Sequence, residues 1–151
     1  MSFEAQSVLY RRLAANRSLP VIYIASGNIT SISLFASSVS PTPVVTKTTL
    51  LTGKDLSDLQ AMTWDQQALV DYLVLLKSSQ FLGMSDSSFS WNISIVRRAV
   101  GNKGMCHRYP FTNPYTKEEQ KALTEGITFE DDLSVVIGRK SPFDFDTHFW
   151  T

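Results

Sequence analysis

Between Asp71 and Arg98 the chain places most of the groups that could do chemistry. A lone carboxylate, Asp71, interrupts an apolar stretch. Gln80-Phe-Leu-Gly-Met84 follows, then Ser85-Asp-Ser-Ser-Phe-Ser90, then a segment that carries Arg97 and Arg98. The pattern reads as a short strand, a polar turn and a helix. The first backbone N–H groups of a helix lack intrahelical partners and, with the helix dipole, form an anion site. Ser87, Ser88 and Ser90 surround that N-terminus with hydroxyls able to donate to phosphate oxygens. Gly83 permits close backbone approach at the strand end. In an open α/β sheet, ligands bind at the carboxyl ends of the strands, where this turn falls. A bland reading stands beside this one: Ser is also a preferred N-cap of helices that bind nothing. Asp71 can likewise be a solvated or arginine-paired carboxylate.

The elements that must position these groups form repeated strand–helix units. Leu19 to Ala25 is a short β-branched run opened by Pro20 and reads as a buried strand. Ser26-Gly27-Asn28 is a turn. Ile29, Ile32, Leu34, Phe35 and Val39 are spaced for a helix that Pro41 and Pro43 end, and Val44-Val45-Thr46 is a second strand. A strand–helix–strand unit is the basic piece of a parallel sheet. Residues 48–62 read as a connection with a turn at Thr52-Gly53-Lys54 and a helical turn at Leu56–Met62, which Asp55 and Asp58 can cap. Thr63 to Ser78 is the strongest helix. Thr63 and Gln66 match a capping box, and Trp64, Ala68, Tyr72 and Leu76, widened by Leu69, Leu73 and Leu75, predict a largely buried surface. Phe89 to Val100 is the next helix, stopped by Gly101 and Gly104.

The ends of the chain are less regular. Residues 2–17 show a loose helical face. Residues 101–151 read as an irregular extension with an aromatic loop at Tyr109–Tyr115, a polar helix at Lys117–Gly126, a strand at Leu133–Ile137 and an aromatic tail at Ser141–Thr151. Glu130-Asp131-Asp132 reads as a solvated turn, and Trp64 and Trp91 as core. The expected organisation is an α/β domain over 1–100 with the extension 101–151 packed on it.

Composition bounds the function. The chain has 151 residues, of which 43% are hydrophobic and 19% charged, enough for a real core. A formal net charge of zero argues against nucleic acid and against an electrostatic hold on anionic membrane. The least charged stretch, 18–45, is broken by Pro20, Asn28 and Pro41 and does not read as a spanning helix. Residues 1–17 lack the continuous apolar run of a signal peptide. The single Cys106 excludes a disulfide framework and a Cys-based zinc site within one chain. His107 and His148 have no Cys or acidic partner at metal-ligand spacing, so no metal is expected. Three acceptor sequons occur, at Asn16-Arg-Ser, Asn28-Ile-Thr and Asn92-Ile-Ser, in a chain rich enough in Ser and Thr for chance to supply them.

The run from Val70 to Ser90 resembles the donor-binding region of the GDP-fucose protein O-fucosyltransferase family and its fungal relatives. In that family an acidic residue on an apolar helix precedes a Phe-Ile/Leu-Gly strand, and Ser-Ser-Phe-Ser/Thr opens a helix that carries Arg. Val21-Ile-Tyr-Ile-Ala25 and Val44-Val45-Thr46 are similar to the strand–helix–strand before it, so the likeness covers residues 18–100. The resemblance implies a Rossmann-like parallel sheet flanked by helices, one half of a GT-B glycosyltransferase. It implies GDP-fucose as donor substrate, no essential metal or other cofactor, and a protein or glycan acceptor in the secretory pathway. By position, Ser87, Ser88, Phe89 and Ser90 would line the diphosphate pocket, and Asp71 would face the nucleoside. Two departures stand out. Ser26-Gly27-Asn28 replaces the family's acidic residue in the first turn, and no His-x-Arg motif occurs in residues 1–17. No catalytic residue is therefore carried over, and the expectation is the donor-binding half of such an enzyme, truncated or degenerate. The alternative is a non-catalytic α/β interaction domain that docks through its aromatic tail, where Phe143, Phe145, Phe149 and Trp150 cluster.

Overall fold

The computed structural model describes residues 8, 10, 11, 19–101, 127–131 and 133–138. The expected helices at 2–17 and 117–126, the loop 109–115, the tail 141–151, Cys106, His107 and His148 lie wholly or mainly outside the described residues. The fold is mixed α/β, with two short parallel strand pairs and helices. The elements are β1 (Ile22–Tyr23), α1 (Ile29–Ser38), β2 (Val44–Val45), α2 (Lys47–Leu50), α3 (Gly53–Ala61), α4 (Trp64–Lys77), β3 (Phe81–Met84), α5 (Ser88–Gly101), β4 (Ile127–Glu130) and β5 (Ser134–Ile137). The chain divides into two compact units, Met1–Leu75 and Leu76–Thr151. The sequence pattern had drawn its boundary at 100/101.

In the first unit, β1 and β2 pair in parallel, with Ile22 opposite Val44 and Tyr23 opposite Val45. The strand expected over 19–25 is confined to two residues and is half-buried, although Ile24 N–H still donates to the Val45 carbonyl. Asn28 caps α1 by accepting from the Ser31 amide at 3.0 Å. Phe35 is buried on α1 and meets Tyr10 edge-on, ring centroids 5.9 Å apart. Residues 47–50, expected as part of a connection, form a helical turn. Thr46 and Thr49 cap it reciprocally, side chain to backbone, at 2.7 and 3.3 Å. The helix expected at 56–62 begins earlier, at Gly53.

Thr63 and Gln66 form the expected capping box of α4, with Thr63 N–H donating to Gln66 Oε1 at 2.9 Å and Gln66 N–H to Thr63 Oγ1 at 3.4 Å. The burial of this helix runs opposite to the pattern. Trp64 is 82% exposed and Leu69 and Leu73 are also exposed, while the one buried residue on the helix is Asp71. Trp64 is therefore not core. A helix rich in Leu and Val can be apolar without one face being selected, because leucine is favoured in helices by propensity as well as by burial.

In the second unit the sheet order is β3-β5-β4, with β3 parallel and β4 antiparallel to β5. All four residues of the central strand β5 are buried, as expected of a strand covered on both faces. Helix α5 packs against β3 and β5. Its buried Trp91 and Ile93 join Phe81, Val135, Val136 and Ile137 in the core. Trp91 is core as expected, and its indole N–H donates to the Ser85 carbonyl at 2.9 Å.

Two devices hold this unit together. Arg97, buried on α5, donates to the carbonyls of Leu76 (2.9 Å), Ser78 (2.6 Å), Ser79 (3.3 Å) and Leu133 (2.9 Å) and to Ser134 Oγ (3.2 Å). It serves carbonyls at and just beyond the end of α4 and at the entry to β5 with one guanidinium. Burial pulls its pKa down, and the charge of Asp131 partly offsets this. Asp131 is the second device. Its Oδ1 accepts from the amides of Leu133 (2.9 Å) and Ser134 (2.7 Å), which ties the β4–β5 turn and gives that carboxylate more than the solvated role expected of it.

The last strand ends on Gly138, whose φ of 143° lies in the region that favours glycine. A methyl group there would fall 1.8 Å from Ser85 Oγ. Gly138→Ala is expected to cost about 1–3 kcal/mol from overpacking, with a further contribution from backbone strain. Ser85→Gly in the same chain should restore the packing part, read as a partial recovery of the urea midpoint. Arg97→Met leaves several carbonyls without donors and should cost about 3 kcal/mol by urea unfolding, with Arg97→Lys recovering only part because it lacks the planar fork.

Candidate functional site

The turn from β3 into α5 has the form expected from sequence. Ser85 N–H donates to the Ile137 carbonyl (2.8 Å), so the carboxyl ends of the two parallel strands lie side by side, and the Ser87 amide donates to Met84 O (3.1 Å). Ser87 is the N-cap: its Oγ accepts from the Ser90 amide (3.2 Å) and its carbonyl from the Trp91 amide (3.1 Å). No acidic residue lies in the first turn of the helix, so its positive end is not neutralised from within, although Asp86 stands just before it.

The candidate residues at this turn differ in what they can offer. Ser90 is buried, and its Oγ accepts from the Met84 amide at 3.1 Å. It faces the strand. A methyl group on Gly83 would lie 2.6 Å from Ser90 Cβ, so the close approach that Gly83 permits is to this serine. The Ser87 hydroxyl is engaged as a cap. Ser88 is exposed, and its hydroxyl makes no hydrogen bond among the described residues. Phe89 is half-buried beside it. Ser88 is thus the group at this turn most available to an anion.

Asp71 belongs to the first unit and is only 7% exposed. Tyr23 donates its hydroxyl to Oδ1 at 2.6 Å, and the Lys47 ammonium lies 2.6 Å from Oδ2. Lys47 also approaches the Gln67 carbonyl at 3.5 Å. The carboxylate is paired with a lysine and a tyrosine, not with an arginine. Each of its oxygens keeps a second lone pair for a further donor. Tyr23 ends β1 and Lys47 follows β2, so the parallel pairing that sets Tyr23 opposite Val45 also brings the two donors to one end of the strands. Sequence reasoning missed both partners. The available signal was position, since each lies at the carboxyl end of a strand in a strand–helix–strand unit.

Among the described residues no three His, Cys, Asp or Glu side chains come together as a metal site, and no helix is long and apolar enough to cross a membrane. No protein-family model, curated protein or solved structure matches the chain.

The Tyr23 hydroxyl is held protonated well above the ordinary tyrosine range, first by burial and then by its hydrogen bond to Asp71 and the charge there. Burial likewise pushes Tyr10 up to about 12. Unfolded tyrosines release their protons near pH 10, so above about pH 10 the unfolded chain binds fewer protons than the folded one. Their contribution to stability is complete below that pH and is lost as pH rises through and beyond it. Urea midpoints should therefore fall steeply as pH rises from about 10 to 12, and Tyr23→Phe should flatten the fall.

Proposed function

We propose that the chain binds GDP-fucose as the donor-binding unit of a fucosyltransferase-like glycosyltransferase. In this reading the parallel strand pairs and their helices are parts of a Rossmann-like half of a GT-B enzyme. The observation that carries it is the exposed, unengaged Ser88 hydroxyl at the N-terminus of α5, beside the carboxyl end of a parallel strand. The resemblance of Asp71 through Ser90 to the family's donor region supports the same reading.

The diphosphate rests on the hydroxyl and amide of Ser88, with Phe89 beside them. Ser87 and Ser90 contribute by fixing the turn, the one as cap and the other against the strand. Asp71, which the resemblance assigns to the nucleoside, lies in the first unit with its two oxygens engaged by Tyr23 and Lys47. The donor is a substrate and no metal or separate cofactor is required. The acceptor is a protein or glycan, and no catalytic residue is assigned.

Ser88→Ala discriminates this reading from a plain helix cap. The hydroxyl stabilises nothing internal, so its removal should leave the urea midpoint unchanged while weakening GDP about tenfold, the worth of one charge-assisted hydrogen bond. Calorimetry of the parent chain should give a micromolar Kd for GDP. Absence of heat with both GDP and GDP-fucose would sink the proposal and leave the non-catalytic interaction domain, which the exposed Trp64, Leu69 and Leu73 of α4 favour.

A further inference from the structure

We propose that Asn28 is an acceptor for an N-linked glycan, a modification that rests on the secretory location implied by the fucosyltransferase resemblance. The sequon Asn28-Ile-Thr30 lies where the chain enters α1, and every residue from Ala25 to Thr30 is exposed. Asn28 has extended backbone angles, φ −90° and ψ 91°, and its Oδ1 is committed to the Ser31 amide at 3.0 Å. That commitment leaves Nδ2 without a partner among the described residues. The Thr30 hydroxyl, the sequon's second requirement, likewise makes no hydrogen bond there. Ile29 between them is 77% exposed, an apolar surface that a hydrophilic sugar would shield.

The chemistry is compatible with the fold. The amide Nδ2 displaces a lipid diphosphate from C1 of a lipid-linked oligosaccharide. One N–C bond forms, one C–O bond breaks, the diphosphate leaves with the bonding pair, and Nδ2 gives up one proton. The product is still an amide, so Oδ1 keeps its lone pairs and the cap on α1 survives.

The other sequon within the described residues is placed differently. Asn92-Ile93-Ser94 lies inside α5, where Ile93 is 0% and Ser94 1% exposed. The Ser94 hydroxyl is spent on the Ser90 carbonyl at 3.0 Å. Once α5 has closed on the sheet, an enzyme cannot reach both the amide and the hydroxyl of that sequon.

The test is translation of the full chain carrying Asn16→Gln, which removes the sequon outside the described residues, behind a cleavable leader with endoplasmic-reticulum microsomes, counting only chains protected from added protease. The expected result is a gel shift of one glycan, removed by endoglycosidase. In that background Asn28→Gln and Thr30→Ala should abolish it, and Asn92→Gln should leave it. Thr30→Ala keeps the Asn28 cap intact, so its loss of the shift cannot be put down to an unfolded α1. Protected chains with no shift would overturn the assignment, as would a shift that survives Asn28→Gln.

Discussion

A guanidinium without water must have its donors taken up by the protein, and Arg97 meets that demand by gathering carbonyls from two separate segments. Those of Leu76, Ser78 and Ser79 lie in the last turn of α4 and just beyond it, and that of Leu133 precedes β5. Neither set has a complete complement of partners from its own secondary structure. The helix that carries Arg97 is therefore fixed along its length at two places. Its C-terminal half is held by this fan of bonds, and its N-terminal half by Ser90 against β3 and by the Trp91 indole on the Ser85 carbonyl. The orientation of the Ser88 end is a consequence of both anchors.

Much of this arrangement is legible in local sequence. Thr63 and Gln66 announce the start of α4, Asn28 that of α1, and Ser87 that of α5, because capping depends on side chains within three residues of the amides they serve. Strand β3 and the central strand β5 are short apolar runs that stand out for the same local reason. The turn between β4 and β5 was read as a charge run, since nothing in Glu130-Asp131-Asp132 tells which oxygen will accept from which amide.

What was not legible is the choice of faces and partners. The apolar residues of α4 give no sign that Trp64 is exposed and Asp71 buried. That inversion depends on Tyr23 and Lys47, which are distant in sequence and reach the carboxylate only when β1 and β2 pair. A carboxylate with both oxygens engaged tolerates burial that the same residue could not tolerate alone. In the same way Gly83 looked like an opening for a ligand. Its open side is filled by Ser90, a packing relation between strand and helix that spacing cannot foresee.

The strand order β3-β5-β4 bears on how the chain is made. β3 is synthesised well before β5, yet β5 is its partner, with Phe81 opposite Ser134 and Met84 opposite Ile137. A nascent chain that has emerged only through α5 therefore presents the backbone donors and acceptors of β3 with no strand of the described residues beside them, and a guanidinium with part of its acceptor set still inside the ribosome. Folding of the second unit is thus gated by the arrival of its last strand, which enters between two others. Until then the exposed edge of β3 is open to pairing with foreign chains.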